Sequence, residues 1–232
     1  MENTYDYGLW ILVVLNILLF GAFVVGFIRP RKQYEWRSLG VFAAFIVALF
    51  AEMYGFPLTI YILTSLLNIS LPVADPFQHV NGHLLGTLFG LPLWGKLLIC
   101  QVGALGMIAG LILMGKGWKM IHANQGNLVR SGIYGKIRHP QYSGMFLFSL
   151  GLLIQWPTLL GLIMWPLLMV AYYRLALREE RTMMAQFGEQ YQAYAGRVPR
   201  FFPRMQRILD FTDDNPPDTE QHVQYDTMEV DT

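Results

Sequence analysis

An all-α fold, a polytopic membrane bundle of about five transmembrane helices, is predicted for this 232-residue chain by three observations. Hydrophobic residues make up 54% and charged residues 14%, with a mean hydropathy of +0.36; a soluble domain carries nearer a quarter charged residues. Five apolar runs approach or exceed the roughly 20 helical residues that span a bilayer. Of the 17 Lys and Arg, all but Lys96 fall in three segments that five spans place on one side.

The first run, Gly8 to Ile28, is uncharged. It follows Glu2 and Asp6 and ends at Arg29-Pro30-Arg31-Lys32, the reverse of a signal peptide's charge order, so it reads as a retained helix. The second, Leu39 to Leu67, is too long for one straight span. Glu52 and Gly55-Phe56-Pro57 interrupt it, which predicts a helix to about Tyr54 and a Pro-kinked continuation. The third, Trp94 to Gly115, is rich in Gly and Ala, which favours close helix contacts. The fourth, Tyr142 to Trp156, and the fifth, Thr158 to about Leu177, are separated only by Pro157. They read as a tight helical hairpin, with a re-entrant pair as the alternative.

The basic segments are 29–38, 116–138 and the stretch from Arg174 to Arg207. Five spans place all three on one face, which the positive-inside rule makes cytoplasmic, with the N-terminus outside. The expected location is the cell's inner (plasma) membrane. Three regions follow: 1–117 with three spans, 118–209 as a core with two spans, and 210–232. The last lacks a core pattern, carries Asp213-Asp214-Asn215-Pro216-Pro217-Asp218, and reads as a disordered acidic tail. Cys100, the one cysteine, excludes a disulfide framework within the chain and reads as a small buried hydrophobe.

The informative polar residues cluster on the predicted cytoplasmic face. Asn127 to Tyr134 leads into Arg138-His139-Pro140-Gln141-Tyr142. Ser131-Gly132 reads as a turn, and Pro140 suits the first turn of the fourth helix. His139 then stands at a helix N-terminus, beside backbone N–H groups that favour an anion. Arg174, Arg178 and Arg181 extend from the fifth helix with Glu179 and Glu180. A zwitterionic ligand with an apolar portion suits such a set. Each residue also has a plain structural reading. His139 is then a helix-start residue, Glu179 and Glu180 a solvated face paired with Arg174 or Arg178, and Tyr134 and Tyr142 interfacial anchors. Phe187 to Tyr194 reads as an amphipathic surface helix covering the site.

The stretches LVRSGIYGKIRHPQYSGM, REERTMMAQFGEQYQAY and RVPRFFP resemble the isoprenylcysteine carboxyl methyltransferase group of integral-membrane methyltransferases, which includes phospholipid methyltransferase relatives. The resemblance covers roughly residues 118–203. It implies S-adenosylmethionine bound at the cytoplasmic helix ends, lined by Leu128, Val129, Tyr134, His139, Pro140, Gln141, Tyr142, Glu179 and Glu180. Arg174, Arg178 and Glu179 are the catalytic candidates. The implied acceptor is lipidic or small and hydrophobic, with a carboxylate, thiol or amine to be methylated. In prenylcysteine members an arginine one turn before the glutamate handles the substrate. That position is Leu175 here, with Arg174 and Arg178 about 100° to either side. Membrane lipids are the expected surroundings, and no nucleic acid is expected. Two other classes stand beside this reading: a sterol-reductase-like NADPH oxidoreductase of related helical architecture, and a non-catalytic membrane protein retaining the fold.

Two further features lie elsewhere. Glu52 is an acid inside a span, either functional or a packing residue where the helix breaks. His79 and His83 have the i, i+4 spacing of two metal ligands, with Asp75 as the available third. They fall in an extracytoplasmic loop, and no metal site is expected.

Overall fold

The structure, a computed structural model, describes residues 7–28, 33–124 and 127–203. The acidic tail and the basic residues Arg29, Arg31, Lys32, Arg204 and Arg207 lie outside the described residues.

The described chain is helical: α1 (Trp10–Ile28), α2 (Gln33–Phe50), α3 (Leu58–Tyr61), α4 (Leu84–Leu88), α5 (Leu93–Ala123), α6 (Pro140–Gln155) and α7 (Leu159–Arg197). Three helices, Ser38–Gly55, Leu93–Ala123 and Leu159–Arg197, are long and apolar enough to cross a membrane. α1 adds a shorter apolar stretch, Trp10–Ala22. α6, at 16 residues, is only about 24 Å long. Most of its side chains are buried against neighbouring helices.

The break in the second run falls where the sequence places it. α2 passes into a π-helical turn, Ala51–Gly55, before Phe56 and Pro57, and α3 passes into another, Ile62–Leu66. Glu52 is buried at this break. Its Oε2 accepts from the Thr59 backbone N–H at 3.0 Å and the Thr59 hydroxyl at 2.6 Å. That hydroxyl accepts in turn from the Leu159 N–H at 2.8 Å, so the acid ties the break to the start of α7. Two run lengths differ from the sequence reading. α5 continues past Gly115 to Ala123, because the exposed Lys116 and Lys119 end the apolar stripe without ending the helix. α7 continues past Leu177 to Arg197, with one break at Gly188. There φ is 49° and ψ is −124°, a backbone that suits only glycine.

The ends of the helices sort into two sides. Gly8 N–H donates to Gly55 O at 2.8 Å, and His83 Nδ1 lies 2.8 Å from Gln155 O. Together with the Leu159 bond, these contacts gather the start of α1, the end of α2, the end of α6 and the start of α7. The opposite side gathers the end of α5, the start of α6 and the outer part of α7. The described basic residues other than Lys96 lie toward that second side. His79 and His83 are on the first, with ring centroids 4.6 and 4.9 Å from that of Trp156. Among the described residues no group of three His, Cys, Asp or Glu side chains is placed to hold a metal ion.

The core is built mainly by α2, α6 and α7, with Phe45, Leu49, Phe148, Leu168 and Tyr172 fully or nearly fully buried. α5 and α6 meet backbone to backbone along a glycine seam. A Cβ on Gly144 would lie 2.6 Å from Gly110 O and 2.9 Å from Met114 N. One on Gly151 would lie 2.5 Å from Gly103 O. The small-residue composition of the third run therefore fixes how closely α6 is held, and α6 carries the site at its N-terminus.

Candidate active site

Pro140 occupies the first turn of α6, where its missing N–H leaves no bond unmade, and His139 is the N-cap. The His139 side chain makes no capping bond. Its ring is turned toward α7 instead. The backbone on either side is pinned by an extended C-terminal strap. Arg138 N–H donates to Pro199 O at 2.9 Å, His139 N–H to Arg200 O at 3.0 Å, and the Ser143 hydroxyl to Phe201 O at 2.8 Å.

Glu180 is the hub of the site. It faces three basic side chains from three stretches of chain: Arg138 Nη1 at 3.2 Å, His139 Nε2 at 3.1 Å and Arg200 Nε at 2.9 Å from Oε1. Arg200 also reaches Oε2, through Nε at 3.1 Å and Nη2 at 3.0 Å. Burial alone would raise the Glu180 pKa, but the bonds from His139 and Arg200 and the charge of Arg138 bring it down to about 2. Glu179 is placed differently. Its side chain is 35% exposed against 11% for Glu180. It accepts a short hydrogen bond from the Tyr142 hydroxyl, and its Oε2 lies 3.6 Å from His139 Nδ1. The His139 ring stacks on Tyr142 at 5.5 Å and leans on Phe201 at 5.8 Å.

Both nitrogens of His139 thus face carboxylates. Burial by itself disfavours the imidazolium, but the bonds and charges of Glu179 and Glu180 outweigh it, and the net shift is upward. Since the folded pKa is raised, this pairing stabilises the fold fully below an imidazole's ordinary value of 6.5. The contribution is lost as pH rises through the higher folded value. Histidine NMR titration in detergent is expected to show a midpoint above 6.5 that falls in Glu180→Gln. A wild-type midpoint at or below 6.5 would contradict the pairing.

The structure brings together His139, Tyr142, Glu179 and Glu180. Pro140 and Gln141 pack over Gly117 of α5, where a Cβ would lie 3.1 and 3.2 Å from their Cγ atoms. Tyr134 is buried, with its hydroxyl donating to Gly117 O at 3.3 Å and its carbonyl accepting from the Tyr194 hydroxyl at 2.7 Å. Leu128 packs on the Tyr191, Tyr194 and Val198 cluster, and Val129 is half-buried beside it. The residues from Phe187 to Tyr194 are therefore partly internal, wedged against the approach loop. Arg174 and Arg178 project from exposed sides of α7, while Leu175 between them is buried in the core. The cations at the carboxylates are Arg138 and Arg200. Both sit inside the motif stretches, but their convergence on Glu180 comes from pairings across 20 and 42 residues, which local pattern does not reveal.

Fold and site together define an integral-membrane α-helical protein with a charged, aromatic-walled site at one end of its bundle. Residues 101–190 match the sequence model of the phospholipid methyltransferase family. A protein-S-isoprenylcysteine O-methyltransferase of Schizosaccharomyces pombe is 26% identical over 118 residues, 45% of this chain and 50% of that one. The cobalt-zinc-cadmium resistance protein CzcN of Cupriavidus metallidurans is 30% identical over 115 residues, 48% of this chain and 52% of that one. The chain spans about half the length of these two relatives. Through this segment the chain is similar to phospholipid and isoprenylcysteine methyltransferases.

Proposed function

We propose that the protein is an S-adenosylmethionine-dependent methyltransferase that acts on a lipidic or small hydrophobic acceptor at the membrane surface. The observation that carries this reading is the closure of the Glu179-Glu180 pair over His139 and Tyr142. It supplies one saturated carboxylate and one open carboxylate at the end of an apolar bundle.

The residues present fit the cofactor. Its methionine portion is zwitterionic, and Glu179, half-exposed and held by Tyr142, suits an ammonium group. When bound, the cofactor supplies an electrophilic methyl group on a sulfonium. The chain's own task is alignment and exclusion of water, which in-line displacement needs more than it needs a strong acid or base. His139 and Tyr142 orient the Glu179 carboxylate. Phe201 and the Tyr142 ring wall the site. A cavity of about 170 Å³, lined by Asn16, Phe20, Leu49, Met107, Gln155 and Trp156 among others, lies toward the opposite end of α6, and no residue of this site lines it. The first two helices supply much of that wall.

The test is methyl transfer from labelled S-adenosylmethionine in detergent-solubilised protein. Dodecylamine, dodecanethiol and dodecanoate present the three head groups on one tail, and total membrane lipid is the fourth acceptor. Label is expected in the organic extract of at least one reaction. Glu179→Gln, which removes a charge-assisted contact, is expected to weaken S-adenosylhomocysteine binding about 10- to 100-fold. Transfer to none of the four acceptors, together with unchanged binding in Glu179→Gln, would overturn both the activity and the assignment of Glu179.

A further inference from the structure

We propose that Arg200, in the strap beyond the family-matched segment, is a positioning residue for this site: it fixes Glu180, and through Glu180 it fixes the His139 ring against Tyr142. The consequence for ligand binding rests on the methyltransferase reading; the positioning itself does not.

The geometry separates the two glutamates. Both oxygens of Glu180 are taken by Arg200, and Oε1 is shared with Arg138 and His139. Glu180 has no oxygen left over for a ligand, so its role is to hold other groups. Glu179 spends one oxygen on Tyr142 and stays half-exposed. The pair therefore divides into a holder and a binder, although the sequence presents two adjacent acids of one kind.

Arg200 is itself located on three sides. Its backbone carbonyl accepts from His139 N–H at 3.0 Å. Its guanidinium lies 5.7 Å from the Tyr173 ring centroid, with Nη1 3.4 Å from the Tyr173 hydroxyl. The neighbouring Phe201 packs on His139, Phe146 and Tyr173. One residue thus couples the strap to the N-cap of α6 through its main chain and to α7 through its side chain. The planar fork bridges both carboxylate oxygens, which a lysine ammonium, a single point charge, does not reproduce. An exposed surface ion pair would tolerate that exchange.

The experiment compares wild type with Arg200→Lys and Arg200→Gln in the full chain in detergent. Three readouts are taken: the His139 titration without ligand, S-adenosylhomocysteine affinity by calorimetry, and the thermal midpoint. The groups that face the ring are Glu179 and Glu180 from α7, Arg138 beside it, and the rings of Tyr142 and Phe201. If Arg200 positions Glu180, losing the fork lets the carboxylate swing away and the His139 midpoint falls in both variants. Affinity for S-adenosylhomocysteine is expected to drop about tenfold in Arg200→Lys, equal to roughly 1.4 kcal/mol, and further in Arg200→Gln. A merely electrostatic role predicts the opposite sign, since deleting a nearby cation raises the His139 midpoint. An unchanged or raised midpoint in Arg200→Gln overturns the proposal. Should that variant fail to fold, an unchanged midpoint and unchanged affinity in Arg200→Lys overturn it instead. If wild type binds no S-adenosylhomocysteine, the methyltransferase reading falls, and the titration still decides the positioning role.

Discussion

Glu180→Ala is expected to destabilise the protein by about 3–5 kcal/mol, the range for removing one partner of a buried ion pair. The size follows from what remains. Arg138, His139 and Arg200 converge on this one carboxylate, and deleting it leaves mutually repelling cations in a partly dehydrated corner. The strap also loses its side-chain tie to α7. Glu180→Gln keeps the shape and two hydrogen-bonding atoms, so its loss is expected to be smaller. The pH dependence in wild type has a definite sign. Because the Glu180 pKa is depressed to about 2, its contribution is fully present above the ordinary carboxylate value of 4.5 and is lost as pH falls toward 2. Denaturant unfolding in mixed micelles at pH 7 and at pH 4 measures both. A Glu180→Ala loss below about 1 kcal/mol would place the cluster among surface pairs of little worth.

Gly144→Val is expected to cost about 3 kcal/mol or more, at or above the usual range for overpacking. Its Cβ would lie 2.6 Å from Gly110 O, 2.7 Å from Met114 Cγ and 2.9 Å from Met114 N. Two of those atoms are backbone and do not move aside like a flexible side chain. Separating α5 from α6 by even an ångström also shifts Pro140 and Gln141 over Gly117, so donor binding is expected to weaken along with stability. Gly115→Ala is the control. It lies in the partner helix α5 with nothing within 4 Å of the added Cβ, and helix propensity favours alanine there. Heating followed by size-exclusion chromatography reads both variants. Equal thermal midpoints for the two would contradict the close contact of α5 and α6.

Much of this architecture is legible in the chain because it follows from local rules. Long uncharged runs form helices, Pro57 breaks one, Pro140 starts another, and the basic residues mark one side. The helix ends are less legible. Lys116 and Arg178 end the apolar stretches, and the helices continue past them to Ala123 and Arg197. At the site, the motif stretches identify His139, Tyr142 and the glutamate pair. They do not tell the two glutamates apart, because that difference comes from Arg200 folding back across 20 residues and Arg138 approaching across 42. Arg174 and Arg178 are attractive beside Glu179 in one dimension. Helical geometry turns them outward, since the buried face of α7 runs through Tyr172, Leu175, Ala176 and Glu180. Glu52 shows the same limit. An acid in a span invites a functional reading, and its bonds to Thr59 at the helix break are visible only in three dimensions.

The central claim is that the Glu179 side of this cluster binds a methyl donor. Calorimetric titration of S-adenosylhomocysteine into the purified protein in detergent, with NADPH as the parallel ligand, tests it most directly. Saturable binding of S-adenosylhomocysteine with no response to NADPH is the predicted result. Binding of NADPH alone would contradict the claim and favour an oxidoreductase, and binding of neither by a monodisperse, stably folded sample would favour a non-catalytic member of the fold.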